Sequence, residues 1–303
     1  MGFGRNSEWL AHRDGEARDY GTIGYEMRFL PVLVTIVLCS SNVIAKERSE
    51  PPAKHIVALD IGHTPAHPGA ISATGIPEFR FNKEVVEKIS VALAATDTIE
   101  PFVVTSPHPL TLVERTRIAA ANKAELFVAI HHDSVQDKYL HVWEVDGKPQ
   151  RYCDDFSGYS VFFSRKNAQP ESSFELARLL GRQMTTEGFK FARHHAEPIH
   201  GENHEIVDEK AGVYRFDNLV VLRTAPMPAA LLECGVILNR IEEKSLRTSV
   251  RQEKIANAVS MAIVEYFAKP RPVRPQASPT PKSKPSLEIE DSAEKLEPEE
   301  PEP

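Results

Sequence analysis

Between Lys54 and Lys269 the chain alternates short apolar runs with stretches of helical period. His55 to Ile61 (HIVALDI) has the length and composition of a buried strand. Val85, Val86, Ile89 and Leu93 then recur on one helical face, with Asn82 at the position expected of a cap. Pro101 to Thr105 (PFVVT) predicts a second strand. Thr111 followed by Glu114 is a capping-box signature for a helix through Ala121. Leu126 to Ile130 predicts a third strand that runs out into His131 and His132. Tyr159 to Ser164, Leu219 to Leu222 and Ala229 to Glu233 supply three further strand runs, and Ser173 to Thr186 an amphipathic helix. Gln252 to Phe267 closes the series as a helix with Ile255, Val259, Ile263 and Phe267 on one face. Alternation of this kind predicts an α/β fold, a three-layer sandwich around a mostly parallel central sheet of about six strands.

The flanks follow different rules. Met27 to Ala45 (MRFLPVLVTIVLCSSNVIA) has the charged start, apolar middle and small-residue end of a secretory signal, and its apolar run is short for a membrane span. An export signal has no use for the 26 residues before Met27, which are rich in charged and polar side chains, so translation is expected to begin there; a retained anchor is the alternative. Cys39 follows Leu38, which disfavours lipidation. The sequence thus divides into residues 1–45 (extension and signal peptide), 46–53 (linker), 54–269 (the alternating α/β domain) and 270–303. The last segment is rich in Pro, Lys and Glu and has almost no apolar side chains to offset the entropy of ordering, so a disordered tail is expected. Beyond the signal, Cys153 and Cys234 remain; Cys234 lies in an apolar strand run, which argues against a bridge. The net charge of −7 provides no bulk basic field to gather nucleic acid.

Candidate chemistry collects at the predicted strand ends, where open α/β sheets bind ligands. His63 follows the first strand within two residues, His131 ends the third, and Glu233 ends the run AALLE. Glu78 stands in the loop before the first helix, after Gly75-Ile76-Pro77. Alone, His63 or Glu78 would be read as a surface residue, whereas a carboxylate in the apolar context of Glu233 needs a partner or a metal. Two imidazoles and one carboxylate form a standard catalytic zinc set with one position left open.

These segments resemble the zinc-dependent N-acetylmuramoyl-L-alanine amidases. Leu59-Asp60-Ile61-Gly62-His63 is similar to the strand-plus-His start of that family, and Pro68-Gly69-Ala70 with Gly75-Ile76-Pro77-Glu78 to its following loop and liganding Glu. LVERTRIAAAN (112–122) and LFVAIHHDS (126–134) resemble the Arg- and Asn-bearing helix and the second His, and ALLECGVILN (230–239) the catalytic Glu segment. Thr64-Pro65 after His63, Phe79 after Glu78 and Ser106-Pro107-His108 after the second strand depart from the family pattern, which bears on substrate contacts rather than on the metal set.

The resemblance implies a phosphorylase/hydrolase-like sandwich, Zn2+ held by His63, Glu78 and His131, and Glu233 as catalytic acid/base. His132 is not assigned to the metal. The substrate implied is peptidoglycan, cut between N-acetylmuramic acid and L-alanine in wall remodelling or recycling, by a protein exported to the periplasm or cell envelope. No nucleic acid and, in the mature form, no membrane is expected as a partner. Some family members carry a regulatory helix, displaced by an activator protein, in the interval that here runs from Val135 to Val220; a lid, a groove wall and a surface loop are the readings open for it. A zinc peptidase on stem peptides and an inactive wall-binding module are the rival functions.

Overall fold

The computed structural model describes residues 53–269 except Pro107, together with Gly24. The signal-like segment, Cys39, most of the linker and the Pro-rich tail lie outside the described residues.

In chain order the elements are β1 (His55–Ile61), α1 (Glu78–Ala94), β2 (Ile99–Val104), α2 (Leu112–Ala121), β3 (Leu126–Asp133), β4 (His141–Val145), β5 (Lys148–Tyr152), β6 (Ser160–Phe163), α3 (Pro170–Thr186), β7 (Glu205–Asp208), β8 (Val213–Arg215), α4 (Val220–Thr224), β9 (Ala229–Val236), α5 (Arg240–Leu246) and α6 (Ser249–Ala268). Seven strands form one sheet in the order β2-β1-β3-β9-β6-β8-β7. The block β2-β1-β3-β9 is parallel throughout, β6 runs antiparallel to β9, and β8 pairs parallel with β6 and antiparallel with β7.

Helices cover both faces, because the strands are apolar on both. Val57, Leu59, Val128, Ile130, Ala230 and Leu232 face α1, α3 and α6, whose Val86, Ile89, Leu180, Val259 and Ile263 complete one core. The intervening Ala58, Phe127, Ala129, Ala229 and Leu231 pack with Ala119 of α2 and Val221 and Leu222 of α4. The expected three-layer α/β sandwich is present, with more strands than the apolar runs alone suggest.

Two local expectations are corrected. Asn82 does not cap α1: the helix begins at Glu78 with Pro77 at its N-cap, and Asn82 is a fully buried residue of its second turn. Leu219–Leu222 is not a strand; Val220–Thr224 is a short helix burying Val221 and Leu222. Four apolar residues are too few to separate a period of 2 from 3.6. β4 and β5 form a separate hairpin whose two-residue turn, Asp146-Gly147, has φ 52° and 73°. Positive φ at both positions is the geometry that matches strand twist and favours Asp-Gly.

Of the roles open for Val135–Val220, a regulatory lid is not filled by α3. Its Leu176, Ala177, Leu179, Leu180 and Met184 are core residues, so deleting it would open the core rather than uncover a site. Cys153 and Cys234 are both buried and unbridged, and pack in different apolar clusters.

Candidate metal centre and its surroundings

The site lies at the carboxyl ends of β1, β3 and β9. Among the described residues two groups of side chains bring potential ligand atoms within 4.8 Å of one another, and the first is His63, Glu78 and His131. His63 Nε2 lies 2.8 Å from Glu78 Oε2, and His131 Nδ1 lies 3.1 Å from Glu78 Oε1. The imidazoles meet edge to face with centroids 4.9 Å apart.

Each of the three is held by its surroundings. His63 has φ 67°, a left-handed backbone that a non-glycine residue adopts at a cost, typically at functional sites. Arg115, buried on α2, fixes that turn: it donates from Nη2 to the His63 carbonyl at 2.7 Å and from Nη1 to the Ile61 carbonyl and to Asp60 Oδ1. Glu78 accepts at Oε1 from Asn82 Nδ2 (3.0 Å) and from the His132 N–H (3.2 Å), and at Oε2 from the Ala70 N–H (3.3 Å). Burial would raise its pKa, but the hydrogen bonds and charges of His131 and His63 hold the carboxyl well below the usual range. Asn82 also donates to the Gly62 carbonyl at 3.1 Å and pairs through Oδ1 with His132 Nδ1 at 2.8 Å. This is why a polar residue stands in the buried face of α1.

Two glycines leave room for the cluster. A Cβ on Gly62 would lie 2.6 Å from the His131 ring, and one on Gly69 would lie 2.5 Å from both Glu78 Oε2 and His63 Cδ2. Two imidazoles and a carboxylate in this cradle fit a zinc ion.

His132 points to the opposite side of β3, fully buried beside Phe81 and Asn82. Burial pushes its pKa down to about 3, so it is a neutral hydrogen-bonding residue outside the three-residue group. Glu233 lies on β9 directly across from His131 in the β3–β9 pairing. Its Oε2 is buried and has no hydrogen-bond partner. Burial, together with the charges of Asp133 and Glu78, pushes this carboxyl well above the ordinary range.

A model of the family described as N-acetylmuramoyl-L-alanine amidase matches residues 57–265, a span that contains the whole cluster and Glu233. The chain belongs to this family. It is similar to the N-acetylmuramoyl-L-alanine amidase AmiA of Salmonella typhimurium, with 25% identity over 257 residues covering 76% of this chain and 82% of that protein. Among solved structures it shares its fold with the N-acetylmuramyl-L-alanine amidase Ami1 from Mycobacterium smegmatis, with TM-score 0.56 and 20% identity, covering 71% of this chain and 97% of that one. The catalytic domain of the amidase CwlV from Bacillus (Paenibacillus) polymyxa gives TM-score 0.54 and 23% identity, covering 70% and 98%.

The second group of ligand atoms belongs to Asp133, His194 and His195, and periodicity does not reveal it. The two histidines occupy a 3-10 turn (His194–Ala196), inside the polar stretch that sequence shows only as rich in His, Glu and Gly.

Proposed function

We propose that the protein hydrolyses the amide bond between the lactyl group of N-acetylmuramic acid and L-alanine in peptidoglycan, with His63, Glu78 and His131 holding zinc and Glu233 carrying the proton. The observation that carries this reading is the convergence of His63, Glu78 and His131 within 4.8 Å, with Glu233 paired across from His131 on the adjacent strand.

When bound, zinc supplies Lewis acidity and lowers the pKa of a coordinated water to about 7. The chain's own residues do the rest. Asn82, His132 and Ala70 fix the Glu78 carboxylate by hydrogen bonds, and Arg115 fixes the backbone of His63. Glu233 takes a proton from the attacking water and returns it to the nitrogen of L-alanine as the C–N bond breaks. The products are a lactyl carboxylate and a stem peptide with a free amino terminus. A carboxyl whose pKa is raised by burial is suited to move a proton in both directions.

The reaction takes place outside the cytoplasm, after removal of Met27 to Ala45, and residues 54–269 form the catalytic unit. Sequencing the mature N-terminus tests the export step: it should lie at Lys46 or close to it, and a cell-derived product starting at residue 1 or 2 would contradict it.

Digestion of purified peptidoglycan with the full chain, followed by mass analysis, tests the reaction. Intact stem peptides beginning with L-alanine are expected. Shortened stem peptides still attached to the sugar would instead indicate a peptidase, and no release at all a binding module.

A further inference from the structure

We propose that Asp133, His194 and His195 form a second cation site, of the zinc type, beside the cluster of His63, Glu78 and His131. The three side chains are buried, and their donor atoms lie within 4.8 Å of one another. Asp133 Oδ2 lies 2.9 Å from His194 Nε2 and 3.0 Å from His195 Nε2. At these separations hydrogen bonds would be expected. Yet Asp133 Oδ2, His194 Nε2 and His195 Nε2 meet only at ion-pair distance, outside good hydrogen-bonding geometry, and none of the three has another partner. Leaving three such atoms buried and unsatisfied is costly, whereas a cation placed among them would engage all three.

The surrounding contacts have the form expected around ligands. His195 Nδ1 is 2.9 Å from Glu202 Oε2, a contact that, with the proton on Nδ1, turns the Nε2 lone pair towards the shared point. A carboxylate behind a liganding imidazole fixes its tautomer and raises its basicity in metal sites. The His204 N–H bonds the His195 carbonyl at 2.8 Å and ties the turn to the next loop. Phe156 packs on the His194 ring at 5.0 Å, and Phe162 packs edge-on to His195 at 5.0 Å, restricting both imidazoles. Two imidazole nitrogens and one carboxylate oxygen suit Zn2+ over Mg2+ or Ca2+, which prefer all-oxygen shells.

The competing arrangement is a protonated His195 clamped between Asp133 and Glu202 with no metal. It sets one positive charge against two carboxylates, and leaves His194 buried with Nδ1 unpartnered and Nε2 in only an ion-pair contact with Asp133. The second site does not depend on the amidase reading, since it uses none of His63, Glu78 or His131.

Zn2+ titration of the metal-stripped full chain, followed by metal analysis of the dialysed protein, tests the proposal. Wild type should take up two equivalents, His63→Ala one, and His63→Ala combined with His194→Gln and His195→Gln none. The His194→Gln/His195→Gln chain with His63 intact should keep one. If those two buried substitutions prevent folding, wild type and His63→Ala decide between the alternatives. Saturation of wild type at one equivalent, with none left in His63→Ala, would overturn the second site. So would two equivalents in a folded His194→Gln/His195→Gln chain. One equivalent in both wild type and His63→Ala would leave the second site standing and count against the first cluster.

Discussion

Arg115 donates a hydrogen bond from Nη2 to the main-chain carbonyl of His63 at 2.7 Å, so a buried guanidinium on α2 sets the backbone of a zinc-ligand candidate 52 residues away. The same fork reaches Asp60 Oδ1 and the Ile61 carbonyl. It therefore spans the end of β1 and the turn after it, and stabilises the left-handed conformation of His63. Lysine carries the charge but cannot reproduce a planar fork with several donors.

Arg115→Lys should therefore keep the fold and weaken zinc binding, measured by competition with a chelator. Arg115→Ala should also destabilise the protein by about 3–5 kcal/mol in denaturant unfolding, because Asp60 is left buried without its partner. Unchanged zinc affinity in Arg115→Lys would show that the His63 turn does not need the fork.

Gly69→Ala should lose zinc through crowding. Its Cβ would press on Glu78 Oε2 and on His63, and its φ of 76° adds backbone strain of roughly 1–2 kcal/mol. Gly147→Ala is the control: its φ is 73°, yet a Cβ there meets nothing within 4 Å. It should cost a similar amount of stability and leave zinc content unchanged. Equal zinc content in the two variants would contradict the steric account.

His132 gives the apoprotein a specific acid sensitivity. Its folded pKa of about 3 lies below the unfolded value near 6.5, so the unfolded chain binds more protons between those limits. The stability it contributes is present above about pH 6.5 and is lost as pH falls towards 3, by up to about 1.4 kcal/mol per pH unit. His132→Gln removes this titration. With chelator present, its stability should fall less steeply than that of wild type between pH 6.5 and 4, measured by urea unfolding. Parallel slopes would show that His132 is not held neutral in the folded protein.

Much of this architecture was readable from the sequence because β1, β3 and β9 are buried on both faces and appear as unbroken apolar runs. His63, His131 and Glu233 were visible for the same reason, as polar residues where those runs stop. Glu78 was found through the family pattern around it, since its own context is a loop. Short or edge elements were harder. The β4–β5 hairpin has five-residue strands with no buried residue, and its Asp146-Gly147 turn is the signal that marks it. β7 and β8 have three or four residues each and owe their existence to sheet pairing. Asn82 resembles a cap in sequence, and only the fold shows that its amide links Glu78, Gly62 and His132. The grouping of Asp133 with His194 and His195 depends on the path of a loop, which no local spacing encodes.

Zinc content and turnover on peptidoglycan, determined on the same preparations of Glu233→Gln and Glu78→Gln, test the central claim most directly. Gln at position 233 keeps the shape of the side chain but cannot accept a proton from water. The account predicts that Glu233→Gln retains the zinc held by His63, Glu78 and His131 while turnover falls roughly 100-fold or more, the usual scale for a lost general acid/base. Glu78→Gln should lose metal first and activity as a consequence. Near-normal turnover in Glu233→Gln would contradict the mechanism, and loss of metal from Glu233→Gln but not from Glu78→Gln would require the two carboxylates to exchange roles.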